Sequence, residues 1–388
     1  MRVLALTHVF PRSPTDAAAP FLLAWARGLT DAGARVVVVA PHDRGLPARH
    51  RVDGVPVRRV RYGADDWERL AYRGEMHEIV RSPAGPALLA ALGGGLAGAV
   101  RSLLRAGDPH VLHVHWWLPG AVIARLARPD VPVVLTVHGT DVALLEGRPG
   151  LAPLARWALA GVDRVEAVSR DLGRRFEQAT GRAVDAVGPM PLAVLPPRST
   201  LTAATSEAGA RRDGGPLRVL GVGRLVADKG FADLIDALAA LPRTASLTLV
   251  GDGPEREALR ERARARGVAL ELPGHVAPDD LAAAYGRADV VAQPSHREGL
   301  GLVAAEAVVA GVPVVATDSG GVRDVLGGED LVAVGDVAGL SAALERVASD
   351  LPGARARTSA RARTVRTLLD RETVARRTLA GYRSLLDR

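Results

Sequence analysis

Short apolar runs, each long enough for one strand, recur through this chain with room for a single helix between most of them, and the series occurs twice. The first series occupies 2–6, 35–40, 55–60, 111–114, 131–137 and 165–167, with a helix predicted over 20–32. The second begins at 217–222, where Leu217-Arg218-Val219-Leu220-Gly221-Val222 echoes Arg2-Val3-Leu4-Ala5-Leu6. It continues at 246–250, 269–272, 290–292, 314–316 and 331–334. Strand and helix in alternation make a parallel sheet, because each crossover returns the chain to the end it left. The prediction is an α/β chain of two tandem Rossmann-like domains, over 1–195 and 217–369. Between them 196–216 is rich in Pro, Ser, Thr, Ala and Gly and reads as a linker. The last segment, 370–388, carries Val374, Leu379, Tyr382 and Leu386 at helical spacing, which predicts a terminal helix packing back onto a domain.

Composition agrees with that plan. A chain of 388 residues exceeds one ordinary core, and with 48% apolar but only 3% aromatic residues its cores must be built from Ala, Val and Leu. The formal charge of +7 comes from arginines scattered along the whole length. Their densest group, Arg58, Arg59 and Arg61, lacks aromatic neighbours for base stacking, so it reads as a solvated basic face and not as a nucleic-acid site. Loose attraction to acidic lipid headgroups is compatible with such a charge. Cysteine is absent, which excludes disulfides, thiolate metal sites and cysteine nucleophiles. The apolar stretch 84–100 is interrupted by Pro86 and by Gly93, Gly94 and Gly95, so no membrane-crossing helix is expected and the chain is expected to be cytoplasmic.

In open α/β sheets ligands meet the loops that follow the strands. The first such loop of the second domain is Gly221-Val222-Gly223-Arg224-Leu225-Val226-Ala227-Asp228-Lys229-Gly230, and Lys229 is the single lysine of the chain. Glycines let backbone approach a ligand, while Arg224 and Lys229 bring two cations to one strand end, as a diphosphate requires. A later loop, Pro294-Ser295-His296-Arg297-Glu298-Gly299-Leu300-Gly301-Leu302-Val303, runs into a helix that carries Glu306. Its free amides and the positive helix end suit phosphate, and its two carboxylates suit sugar and ribose hydroxyls. Gly251-Asp252-Gly253-Pro254 and Asp318-Ser319-Gly320-Gly321 are further strand-end turns, explained equally by packing. In the first domain, Thr136-Val137-His138-Gly139-Thr140-Asp141 ends a strand. His138 there either acts at a reacting centre or bonds a backbone carbonyl. His113 and His115 share a strand face like a metal pair but lack a third ligand, and no Asp-x-Asp pair offers a Mg²⁺ site, so no metal is expected.

These residues resemble the retaining glycosyltransferases of family 4, whose GT-B fold sets two Rossmann-like domains face to face across a cleft. The likeness runs from Thr7-His8-Val9-Phe10-Pro11 through His138-Gly139-Thr140-Asp141 to the terminal helix. It is most specific at the Glu-x7-Glu signature of Glu298 and Glu306, joined to Gly221-Val222-Gly223-Arg224 and Lys229-Gly230. The resemblance implies a nucleotide-sugar as co-substrate, with no cofactor and no metal. It implies that Arg224 and Lys229 bind the donor diphosphate, that Glu306 holds the ribose, and that Glu298 holds a hydroxyl of the donor sugar. The amides of Gly301, Leu302 and Val303 would meet the distal phosphate, beside Gly223, Gly299 and Leu300. His138 would lie against the anomeric centre, and the backbone at His275 and Val276 would read the base, with uridine favoured. The acceptor, a small molecule, a lipid or a saccharide, would be held by the first domain, where Asp141 and the 16–20 loop lie. That loop reads Asp16-Ala17-Ala18-Ala19-Pro20, with Ala18 and Ala19 where the family often has paired glycines. Met190-Pro191-Leu192 replaces the usual Asn-Gly turn. A nucleotide-sugar 2-epimerase and a non-catalytic sugar-nucleotide-binding subunit share this architecture and stand as alternatives.

Overall fold

The computed structural model describes residues 1–16, 18–72, 82–107, 109–193, 215–328 and 331–387. The predicted linker lies outside these, apart from its last two residues. The chain forms two compact units, Met1–Ala193 with Leu369–Arg388, and Val194–Leu368.

The first unit is built on an eight-stranded sheet in the order β3-β4-β2-β1-β5-β6-β7-β8. Its strands are β1 (Arg2–Leu6), β2 (Arg35–Pro41), β3 (Arg49–Val52), β4 (Val55–Val60), β5 (Val111–His115), β6 (Val133–Val137), β7 (Arg164–Ala167) and β8 (Ala186–Val187). Pairing is parallel except at β3, which runs antiparallel to β4. Strand β3 was not among the expected strands. The two-residue turn that joins it to β4 is Asp53-Gly54, with both residues at positive φ (47° and 83°), the conformation that matches the twist of a tight hairpin. The helices are α1 (Pro20–Asp31), α2 (Gly85–Gly107), α3 (Val122–Ala127), α4 (Thr140–Gly147), α5 (Ala152–Leu159) and α6 (Arg170–Thr180).

Two expectations need correction here. The stretch 84–100 is not broken: α2 runs through Gly93, Gly94 and Gly95, with Pro86 in its first turn, where a missing amide costs nothing. By length and composition α2 could cross a membrane, yet Leu92, Leu96, Ala97 and Val100 are buried on the sheet side. Nor is Arg59 part of a solvated face. It is 1% exposed and donates to the carbonyls of Phe10 (3.0 Å) and Pro11 (2.5 Å) and to the Tyr72 hydroxyl (2.7 Å).

The second unit has five parallel strands in the order β11-β10-β9-β12-β13. They are β9 (Leu217–Val222), β10 (Ala245–Val250), β11 (Ala269–Gly274), β12 (Val290–Gln293) and β13 (Val314–Ala316). The expected strand at 331–334 is only an isolated bridge between Thr317 and Val332. Helices α7 (Phe231–Ala239), α8 (Arg256–Arg266), α9 (Pro278–Arg287), α10 (Leu302–Val309), α11 (Val322–Leu326), α12 (Val337–Ser349) and α13 (Leu351–Leu369) follow. Successive strand residues enter different cores: Val219 and Val290 join one cluster, Leu220 and Val291 the other. Both faces of this sheet are therefore buried, as its β-branched runs require.

The terminal helix α14 (Arg371–Leu386) belongs to the first unit and packs on α1. Val374, Leu379 and Tyr382 are buried as the helical spacing predicts, whereas Leu386 remains 42% exposed.

Candidate active site

Chain direction places the site before any side chain is considered. From β9 the second sheet grows outward through β10 and β11, then returns to add β12 and β13 on the other side. The loops after β9 and β12 consequently part from one another at the strand ends and leave a crevice between them. Lys229 is on the first loop and Glu298 on the second, and the two form an ion pair with side chains 26% and 12% exposed. Glu298 also accepts from the Ser295 hydroxyl (2.8 Å), and its amide donates to the Ser319 carbonyl (2.8 Å), which ties in the loop after β13. The Lys229 stem lies beside Gly223. Gly230 permits the close approach of the loops, since a Cβ there would sit 2.1 Å from the Pro294 carbonyl oxygen. Arg224, on the same loop, is exposed.

The second loop ends at Gly301, which caps α10 with φ 85°, a left-handed conformation that suits glycine. The opening amides of a helix lack internal partners. Gln293 takes that of Ala304 (2.8 Å), which leaves those of Leu302 and Val303 facing outward from the helix start. One turn in, Glu306 is 8% exposed and accepts a 2.8 Å hydrogen bond from the Tyr285 hydroxyl. Burial pushes the Glu306 carboxyl up to about 7, against the opposing pull of that hydrogen bond. Burial and the neighbouring carboxylate also push the Tyr285 phenol well above its ordinary value. Val276 and Val303 pack against the apolar cluster that contains Tyr285, while His275 beside them is exposed. Gly299 and Leu300 complete the loop, Leu300 buried.

The first unit has its own reversal, between β1 and β5. There His8, after β1, meets Trp116, after β5, edge to face at 4.6 Å. His138, after β6, lies 4.3 Å from Trp116 and 5.4 Å from Phe21 between ring centroids. Behind it His115 Nδ1 is 3.0 Å from His138 Nε2, and His115 stacks on His113. All four imidazoles are held neutral. Burial takes His8 down to about 4; burial, and then repulsion from neighbouring cations, takes His113 to about 3 and His115 and His138 well below the ordinary value.

Residues 17–196 match the family described as "Glycosyl transferase 4-like domain", and residues 204–365 match "Glycosyl transferases group 1". Glycogen synthase of Mycobacterium tuberculosis is 34% identical over 296 residues, covering 72% of this chain and 69% of that one. The 2-deoxystreptamine N-acetyl-D-glucosaminyltransferase of Streptomyces fradiae is 33% identical over 390 residues, covering 90% and 89%. This chain belongs to glycosyltransferase family 4. Among solved structures, sucrose-phosphate synthase from Thermosynechococcus elongatus superposes with a TM-score of 0.81 at 20% identity, covering 100% of this chain and 99% of that one. Anabaena HepE in complex with UDP-glucose does so with 0.73 at 20%, covering 99% and 100%. The fold is GT-B, and the glycosyltransferase is a retaining enzyme that uses a nucleotide-sugar donor.

Other residues singled out in the glycosyltransferase's sequence have plainer surroundings. Asp141 is buried, and its carboxylate accepts the amides of His138 (3.1 Å), Gly139 (2.9 Å) and Trp117 (3.1 Å), fixing the turn that presents His138. Ala18 donates its amide to Asp16 (3.1 Å), and Ala19 caps α1 at φ 52°, a left-handed conformation unusual for alanine. His113 has both ring nitrogens engaged, by the Tyr382 hydroxyl (2.6 Å) and Thr136 Oγ1 (2.8 Å), so it has no nitrogen for a metal. The trio His42, Asp65 and Glu68 has ligand spacing, but His42 is bonded to Glu68 and to the Leu46 carbonyl, and Asp65 pairs with Arg61. That trio is held by hydrogen bonds and by Arg61. Sequence reasoning passed over His8, Phe21, Trp116 and Tyr285. The position of the first three, two just after strand ends and Phe21 in the first turn of α1, was the available signal.

Proposed function

We propose that this glycosyltransferase moves a hexosyl residue from a UDP-sugar to a hydroxyl of a small polyhydroxylated or saccharide acceptor, without a metal ion. The Lys229–Glu298 pair at the crevice of the second sheet carries this reading. A departing diphosphate needs fixed positive charge, and Lys229, Arg224 and the α10 amides supply it from the protein itself. As the donor enters, Lys229 exchanges its carboxylate partner for a phosphate, which frees Glu298 to accept from a sugar hydroxyl. Glu306 accepts the ribose hydroxyls, and the backbone at His275 and Val276 meets the base. In the first unit His138, neutral and shielded by Trp116, faces the anomeric carbon. The acceptor oxygen attacks on the side from which the nucleotide leaves and passes its proton to a phosphate oxygen, so no protein nucleophile is needed.

Uridine is supported by HepE, whose structure contains UDP-glucose. A polyhydroxylated ring as acceptor is supported by relatives named for 2-deoxystreptamine and for D-inositol 3-phosphate. A melting-temperature panel of UDP-, GDP-, ADP- and TDP-sugars tests the donor, because a ligand specific to the folded state raises Tm according to its affinity. UDP-sugars should give the largest shift. A larger shift with a GDP- or ADP-sugar would refute the uridine assignment, and conversion of the donor to an epimer without acceptor would refute transfer.

A further inference from the structure

Outside the site just described, the first unit has a wide concavity of about 1230 Å³ at the amino ends of β6 and β7, the opposite end of the sheet from His138. Four arginines line it: Arg101 and Arg105 from α2, Arg125 from α3, and Arg128 just after α3. Arginines elsewhere in this chain mostly hold carboxylates, as Arg175 holds Glu146 and Arg243 holds Glu345. These four do not, among the described residues. Arg101 donates to the Leu126 carbonyl (3.0 Å), and the Arg125 guanidinium lies over the Trp157 ring at 5.9 Å. Two acids, Asp130 and Asp163, also line the concavity, Asp163 accepting the Val133 amide (2.7 Å), so four positive charges face two negative ones.

The rim is apolar where a soluble anion would need none of it. Leu126, Leu154 and Trp157 are 45%, 37% and 44% exposed, and Leu154 and Trp157 lie one turn apart on α5. The outward stripe of α2, Ala87, Ala91, Gly94 and Gly98, carries no charge until it reaches Arg101 and Arg105. Guanidinium groups match phosphate in geometry, and tryptophan, with one wet edge and an apolar body, favours the headgroup layer.

We propose that this face docks on an anionic phospholipid surface, with lipid phosphates in the arginine-lined concavity and Leu126 and Trp157 at headgroup depth. Each arginine near such a surface multiplies partitioning by about five, the equivalent of ~1 kcal/mol. The full chain should therefore sediment with vesicles of phosphatidylcholine and phosphatidylglycerol and not with phosphatidylcholine alone, and high salt should release it. Arg101→Gln with Arg105→Gln should lower partitioning by roughly 25-fold, whereas the two lysine replacements should retain most of it. Trp157→Ala should weaken binding with every charge in place. Turnover of soluble substrates should be unchanged in all of these variants, which also reports that they fold. Equal binding to both vesicle types, or binding indifferent to Arg101 and Arg105, would overturn the proposal. So would an arginine-dependent Tm shift with inorganic phosphate when no vesicle is bound, which would make the concavity a site for a soluble anion.

Discussion

At the reversal point of the second sheet, Lys229, Glu298 and Glu306 bring a cation and two acids to loop ends and one helix, with Arg224 exposed beside them. At the same point of the first sheet, His8, His115 and His138 pack ring against ring with Trp25 and Trp116. One topology thus carries two chemistries. The second unit gathers charge at its strand ends, and the first packs together histidines that are kept uncharged by burial. In the proposed function the preorganised charge of the second unit is what holds the departing diphosphate.

Removing the cation breaks that division most severely. Lys229→Ala should lower kcat/KM by roughly 10²- to 10³-fold, the usual loss for one preorganised group facing a developing charge. Glu298→Gln should also lose turnover but keep nucleotide affinity, because it removes only the sugar contact. Steady-state kinetics beside nucleotide titration would separate the two. Turnover within tenfold of the parent in the Lys229 variant would show that the charge comes from elsewhere.

Acid should act on the two units with opposite sign. Each buried histidine is neutral in the folded chain but gains a proton near pH 6.5 once unfolded, so the unfolded state binds more protons below that value. The first unit should then lose stability as pH falls below 6.5, down to the folded values of about 4 for His8 and about 3 for His113. Glu306 works the other way. Its proton is held to about pH 7 in the folded chain and to 4.5 when unfolded, so the second unit loses stability as pH rises through that interval. Hydrogen exchange followed peptide by peptide at pH 5 and pH 7 should find β5 and β6 less protected at the lower pH and α10 less protected at the higher.

The same carboxyl sharpens the comparison on the ligand side. Ribose hydroxyls donate to a carboxylate, so nucleotide binding should release a proton from Glu306 and tighten by up to about tenfold per unit as pH rises towards 7. Glu306→Gln should bind more weakly and lose this dependence. Calorimetric titration in buffers of different ionisation enthalpy reads the proton directly, and an unchanged slope in the variant would assign it to another group.

The second unit's site was more legible in the sequence than the first's, and the reason is separation along the chain. Lys229, Glu298 and Glu306 each sit in a glycine-marked strand-end loop or the helix it opens, so local pattern alone places them. The strands 2–6, 55–60, 217–222 and 314–316 were equally legible, as short runs dominated by Val and Leu. The Tyr285 hydroxyl that holds Glu306 comes from a neighbouring helix with no local mark. The histidine wall is less visible still: His113 is bonded by Tyr382, 269 residues away, so two histidines on one strand looked like a metal pair until their partners were in place. Glycines misled in α2, where tertiary packing of Leu92, Leu96 and Val100 outweighs a helix cost of about 1 kcal/mol per glycine.

The smallest effect concerns Ala19, where the first unit departs from the glycine-rich loop its family often carries. At φ 52° and ψ 53° its Cβ crowds the following carbonyl, a cost of about 1–2 kcal/mol that glycine escapes. Glycine in turn loses about 0.4–1 kcal/mol by loosening the unfolded chain. Ala19→Gly should therefore raise the stability of the first unit by at most about 1.6 kcal/mol, or a Tm rise of a few degrees at most. Turnover should barely move, because the loop is already fixed from its other side: Asp16 accepts the amides of Arg12 (2.8 Å) and Ala18 (3.1 Å) and pairs with the Arg12 guanidinium (2.7 Å). A marked gain in donor affinity instead would mean that the alanine restrains an amide the donor needs, and that this loop of the first unit supplies phosphate contact as well as cover.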